Sequence, residues 1–125
     1  NKAVGNKNGK QNIFLSKHNT GGHSFIHSRK NSMVKISVPV VSLPLFLKEN
    51  NISQIDFLKM DCEGAEYRIL FNCPKETLER IKKISMEYHN VDEHNNVNVL
   101  KKYLEDNGFH VDINSNNCQM LYATR

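Results

Sequence analysis

A chain of 125 residues holds one domain at most, and with 38% hydrophobic residues and a mean hydropathy of −0.57 it buries only a modest core. The net charge of +4 comes from scattered lysines without an arginine-rich patch, which argues against a nucleic-acid surface. No apolar run is long enough to span a membrane, no segment reads as a signal peptide, and Cys62, Cys73 and Cys118 are odd in number with no metal-type spacing, so free thiols in a reducing cytoplasm are expected.

Lys2-Ala3-Val4-Gly5 reads as the end of a strand, and Asn6-Lys7-Asn8-Gly9 as a turn, because Asn and Gly tolerate positive φ. Gln11 to Ser16 follows as a second short strand. His18 to Arg29 is a polar loop whose Gly21-Gly22 pair either lets backbone approach a ligand or marks a surface loop. Val34, Ile36, Val38 and Val40 alternate with Lys35, Ser37 and Pro39, which predicts a strand with one solvated face. Pro39 lacks a ladder donor and predicts an edge, or a ladder that ends there. Ser42 is placed to cap a helix striped by Leu43, Phe46 and Leu47, which Asn50-Asn51 ends.

The chain is organised around the stretch from Ile55 to Glu66. Its apolar start predicts a strand buried in a parallel sheet, and Gly64 suits a sharp passage into helix. Ligands of open α/β sheets sit outside the carboxyl ends of strands, so Asp61, Glu63 and Glu66 fall where chemistry is expected. The competing reading is that Glu63 and Glu66 only load the first turn of the next helix with negative charge. Beyond it, Ala65, Ile69 and Leu70 predict a short helix, Pro74 opens another with Leu78 and Ile81 on one face, and Lys83 to His89 forms a strand. On that strand Ile84, Met86 and Tyr88 share one side, and Ser85, Glu87 and His89 the other. Val97, Leu100 and Leu104 stripe a further helix capped by Gly108, and Phe109 to Ile113 and Cys118 to Thr124 form an antiparallel hairpin. The fold class expected is α/β, mainly parallel, with a C-terminal antiparallel hairpin.

If the strand ending at Asp61 neighbours the one ending at His89, with adjacent strands about 4.8 Å apart, Asp61, Glu63, Glu87 and His89 converge on one crevice. His89 is a natural base near neutral pH, and a carboxylate beside it, Glu87 or Glu63, orients the ring or shares its role. Without a ligand, His89 is a strand-end histidine bonded to backbone and Glu87 a solvated or lysine-paired carboxylate. Carboxylates with a histidine also suit a hard divalent ion such as Mg²⁺, but such clusters are common without metal, and no metal is assigned.

Phe57-Leu58-Lys59-Met60-Asp61-Cys62-Glu63-Gly64-Ala65-Glu66 resembles the "FLKiDvEGaE" signature of FkbM-type, S-adenosylmethionine-dependent methyltransferases. Ala3-Val4-Gly5 through Gly9 resembles the family's "AvG…G" segment, Asn19-Thr20-Gly21-Gly22-His23-Ser24 its "NtGG.S" loop, and Ile84 to His89 its strand ending in Glu and His. The resemblance covers nearly the whole chain and the later part of the family domain. It implies a Rossmann-like class I methyltransferase fold, S-adenosylmethionine as cofactor, and a hydroxyl on a sugar or other small metabolite as acceptor. It further implies cofactor contacts for Lys2, Ala3 and Asp61, substrate contacts for Asn19, Thr20, Ser24 and Glu66, and catalytic roles for Glu63, Glu87 and His89.

The chain departs from the family pattern in three ways. The Gly-rich first turn and the acidic residue for the ribose hydroxyls should precede Asn1, so the chain reads as an N-terminally truncated domain of residues 1–125. The first two central strands are missing with them, which leaves a sheet edge open to a second copy of the chain. Ser42-Leu43-Pro44 stands where Leu-Asp is usual. The parent protein is expected to be a methyltransferase and this chain alone inactive. The competing function is a binding or assembly module that keeps part of the fold without chemistry.

Overall fold

The computed structural model describes residues 1–15, 23–24, 34–114 and 119–125. In chain order the elements are β1 (Ala3–Gly5), β2 (Gly9–Leu15), β3 (Val34–Ser42), α1 (Leu43–Glu49), β4 (Leu58–Met60), α2 (Glu66–Phe71), α3 (Lys75–Leu78), β5 (Lys83–Glu87), α4 (Val97–Asp106), β6 (His110–Asn114) and β7 (Met120–Thr124). They form two sheets, ordered β1-β3-β2 and β4-β5-β7-β6. None of the described helices is long and apolar enough to cross a membrane.

The architecture is α/β, but the expected mainly parallel sheet is only partly met among the described residues. β1 with β3 and β4 with β5 are parallel; β2 with β3, β5 with β7 and β6 with β7 are antiparallel. The connection decides the direction. Parallel β4 and β5 are joined through α2 and α3, a crossover, whereas the consecutive strands β6 and β7 pair antiparallel, as predicted for the C-terminal hairpin. Pro39 is not on an edge strand, since β3 lies between β1 and β2. The β1 ladder begins at Val40, one residue beyond it, so the missing donor falls at a ladder end.

Local signals explain the helices. Pro44 lies in the first turn of α1, Leu43 and Leu47 are its buried stripe, and Asn51 leaves it at φ 54°. Ser42 occupies the N-cap position, but its hydroxyl makes no cap; its amide N–H instead donates to Asn8 Oδ1 at 2.8 Å. Asn96 caps α4 by accepting from the amides of Asn98 and Val99, Leu100 and Leu104 bury its inner face, and Gly108 closes it at φ +85°.

The core lies around the four-stranded sheet, where Leu70, Leu78, Ile84, Met86, Leu104 and Leu121 are sealed from solvent. The organising strand starts at Ile55 as expected, through a bridge to Ile81, but the ladder breaks at Asp56 and Phe57 before β4 proper. β4 is the end strand of its sheet. An open trough of about 870 Å³ runs along it, lined by Val4 of β1, by Phe46 and Leu47 of α1, and by Phe57, Leu58 and Asp61.

Candidate active site

The site begins with a register. β4 and β5 run parallel with Met60 opposite Met86, so the chain leaves both strands on the same side of the sheet. Asp61 follows β4 directly, and His89 lies two residues beyond β5. The neighbouring strand ends expected from the sequence are therefore present.

Between β4 and α2 the chain turns through Cys62-Glu63-Gly64-Ala65, closed by Ala65 N–H donating to the Cys62 carbonyl at 3.1 Å. Glu63 has φ +51° and Gly64 φ +95°. Positive φ at both central positions is the pattern of a type I′ turn. Gly64 meets this without strain, while a left-handed Glu costs roughly 1–2 kcal/mol. The strained residue carries one of the site's carboxylates, and strain of this kind gathers at functional sites.

Glu66 opens α2 and is 0% exposed. Its Oε1 accepts the Cys62 amide N–H at 2.7 Å and lies 3.3 Å from His89 Nδ1, while its Oε2 is buried with no partner among the described residues. On the other side of the ring, His89 Nε2 lies 3.6 Å from Glu63 Oε2. The imidazole is thus held between a buried carboxylate and a half-buried one. Burial, followed by the charge of Glu66, pushes up the Cys62 thiol, and the same two causes in the same order raise the Tyr67 hydroxyl to about 12. Both groups stay protonated at neutral pH.

Asp61, Glu63 and His89 each bring one ligand-type atom to within 4.8 Å of the others, and these are the described side chains that could hold a metal ion. For an organic cofactor the trough offers apolar walls, suited to an aromatic base, and the exposed Asp61 carboxylate, suited to a cationic group.

Of the residues singled out in the sequence, Asp61, Glu63, Glu66 and His89 come together. Ser24 joins them indirectly: it is buried, it pairs with Phe14 through two backbone bonds, and its hydroxyl donates to the Glu63 carbonyl at 2.8 Å. It therefore braces the strained turn. Glu87 ends β5 as an exposed residue outside the cluster. Lys2 forms an exposed ion pair with Glu49 at 3.0 Å, and Ala3 sits opposite Val40; neither lines the trough, although Val4 does. Asn19 and Thr20 lie outside the described residues. Cys62, whose amide anchors Glu66, was not anticipated as part of the site. No side-chain pattern marks it, since its contribution is a backbone N–H.

An α/β fold with an imidazole and carboxylates gathered at the carboxyl ends of two parallel strands has the layout of an enzyme crevice. The chain matches the Methyltransferase FkbM domain over residues 1–111 of its 125, and it belongs to this family. No curated protein and no solved structure matches it.

Proposed function

We propose that this chain forms the acceptor side of an S-adenosylmethionine-dependent O-methyltransferase that acts on a hydroxyl of a small metabolite or sugar. The observation that carries the reading is His89, held between Glu63 and Glu66 where β4 and β5 end together. When bound, S-adenosylmethionine supplies an electrophilic methyl group. The chain's own residues then have two tasks, to hold the acceptor oxygen in line and to take its proton.

His89 Nε2 accepts the acceptor's hydroxyl proton as the new O–C bond forms. The imidazolium that results gains from the Glu63 carboxylate beside it. Asp61 and the apolar trough hold the cofactor, with Val4 as the contact on the β1 side. Glu87, exposed at the end of β5, is open to an acceptor. By the family resemblance, Asn19, Thr20 and Ser24 are the further substrate contacts. Among the described residues β4 is the end strand of its sheet, and its outer edge is the place where a second copy would add; the free thiols of Cys62 and Cys73 fit a reducing, cytoplasmic setting.

The test has two stages. Calorimetric titration of the chain with S-adenosylhomocysteine reads the cofactor site, and micromolar binding is expected if the trough and Asp61 suffice. Transfer of a labelled methyl group to hydroxyl acceptors by the complete gene product reads the chemistry. Cofactor binding without transfer to any hydroxyl, amine or thiol would favour a binding module instead.

A further inference from the structure

We infer that Glu66 is a positioning residue: its buried carboxylate fixes His89 with Nδ1–H turned inward, so that Nε2, on the Glu63 side of the ring, is the nitrogen that takes a proton. The inference rests on His89 being the base, and it changes the role of Glu66. A side chain that is 0% exposed does not reach a substrate directly. It acts through the ring that covers it.

Three observations carry the assignment. First, Oε1 of Glu66 already accepts the Cys62 amide N–H at 2.7 Å, so a proton on this carboxyl group would sit on Oε2, away from the ring. In the contact between Oε1 and His89 Nδ1 at 3.3 Å, the nitrogen must therefore be the donor. Second, among the described residues His89 Nδ1 is the only nitrogen of a basic side chain within ion-pair distance of Glu66, and as N–H it can donate to the carboxylate. A buried carboxylate needs pairing, and no lysine or arginine provides it. Third, Glu66 is anchored at both ends. Its backbone begins α2, and its side chain is tied to the turn that carries Glu63. The ring is thus oriented by a rigid element. A carboxylate that fixes the tautomer and orientation of a histidine is the usual way to expose one chosen nitrogen.

The rival role for Glu66 is purely structural: it satisfies the Cys62 amide and nothing more. Glu66→Gln separates the two, because the glutamine carbonyl still accepts from Cys62 while the charge facing Nδ1 is lost. Nitrogen-15 spectra of the histidine rings, with the His89 signals assigned through His89→Gln, report the tautomer without any assay of activity. In the wild-type chain the Nδ1–H form is expected to dominate the neutral ring. In Glu66→Gln the ratio of Nδ1–H to Nε2–H should fall about tenfold, the difference between a charge-assisted and a neutral hydrogen bond. In the complete gene product the same substitution should lower kcat about tenfold with KM within about twofold, since it disturbs proton transfer and not binding.

A wild-type ring that is mainly Nε2–H overturns the inference, whether or not the variant folds. So does a folded Glu66→Gln with an unchanged tautomer ratio. A wild-type protein with the Nδ1–H form but no methyl transfer counts against the methyl-transfer reading alone.

Discussion

Met60 and Met86 lie directly opposite each other in the parallel β4–β5 pair, 5% and 0% exposed, and the site is built on the residues that follow them. The pair fixes how far each strand runs before Asp61 and His89 emerge. Met86→Ala is expected to lower stability by about 2–5 kcal/mol through the cavity it leaves, measured by urea unfolding. Met86→Leu keeps the volume and should cost less than about 1.5 kcal/mol.

Glu63 stands in a left-handed conformation that favours Asn or Gly. Glu63→Asn should raise stability by a few tenths to about 1 kcal/mol, as the backbone strain is relieved. The same change should slow methyl transfer, because the carboxylate 3.6 Å from His89 Nε2 is removed. Thermal unfolding and turnover of one variant, moving in opposite directions, would show that the strain is kept for function.

His89 and Glu66 form a coupled pair, so their substitutions should not add. His89→Ala leaves a buried carboxylate without its partner and should destabilise the fold by about 3 kcal/mol. In a double variant with Glu66→Gln much of this loss should be recovered. Additive losses in the double-mutant cycle would show that the two side chains do not interact.

Glu87, by contrast, is exposed at the end of β5. Glu87→Gln should change stability by less than about 0.5 kcal/mol. If Glu87 meets the acceptor as proposed, turnover of the complete gene product falls while the melting temperature stays. Unchanged turnover would remove Glu87 from the site.

Alkaline pH should unfold the protein through two buried groups. Burial pushes the Cys73 thiol from 9.0 to about 11, and it raises the Tyr67 hydroxyl, with help from Glu66, from 10.0 to about 12. Below pH 9 both are protonated in the folded and unfolded chain, and stability does not depend on them. Above pH 9 the unfolded chain loses protons that the folded one keeps, so stability falls as pH rises through 9 to 12. The loss should approach about 2–3 kcal/mol per group. Cys73→Ser should remove part of the loss that begins near pH 9, the Cys62 thiol, also raised by burial, supplying the rest, read from unfolding midpoints at pH 8 and 10.5.

The site was legible in the sequence where it depended on short-range pattern. The run from Ile55 into Asp61, Glu63 and Gly64 contains both the strand and the turn, and the parallel neighbour ending at His89 follows from the crossover between them. The role of Glu66 was harder to see because a carboxylate is read as solvated or ligand-facing. A signal was nonetheless present: Ile69 and Leu70 stand three and four positions on, so Glu66 shares the buried stripe of α2. The central place of β3 was not legible, since Pro39 argues for an edge and only the register shows that the β1 ladder starts one residue later. The direction of the remaining pairings depended on tertiary contacts that no local pattern encodes.

The two sheets differ in what holds them. The large core draws on the β4-β5-β7-β6 side, while β1, β2 and β3 supply none of its fully buried cluster; Val40 and Val41 are buried apart from it. Amide protons of β2 and β3 should therefore exchange with solvent through local openings, well before those of β5 and β7, which wait for global unfolding. The His89 end of the site belongs to the slow-exchanging half. His89 and Glu66 should keep their geometry while the three-stranded sheet opens and closes beside them, whereas the Glu63 turn, braced by Ser24 through Phe14 of β2, should feel each opening.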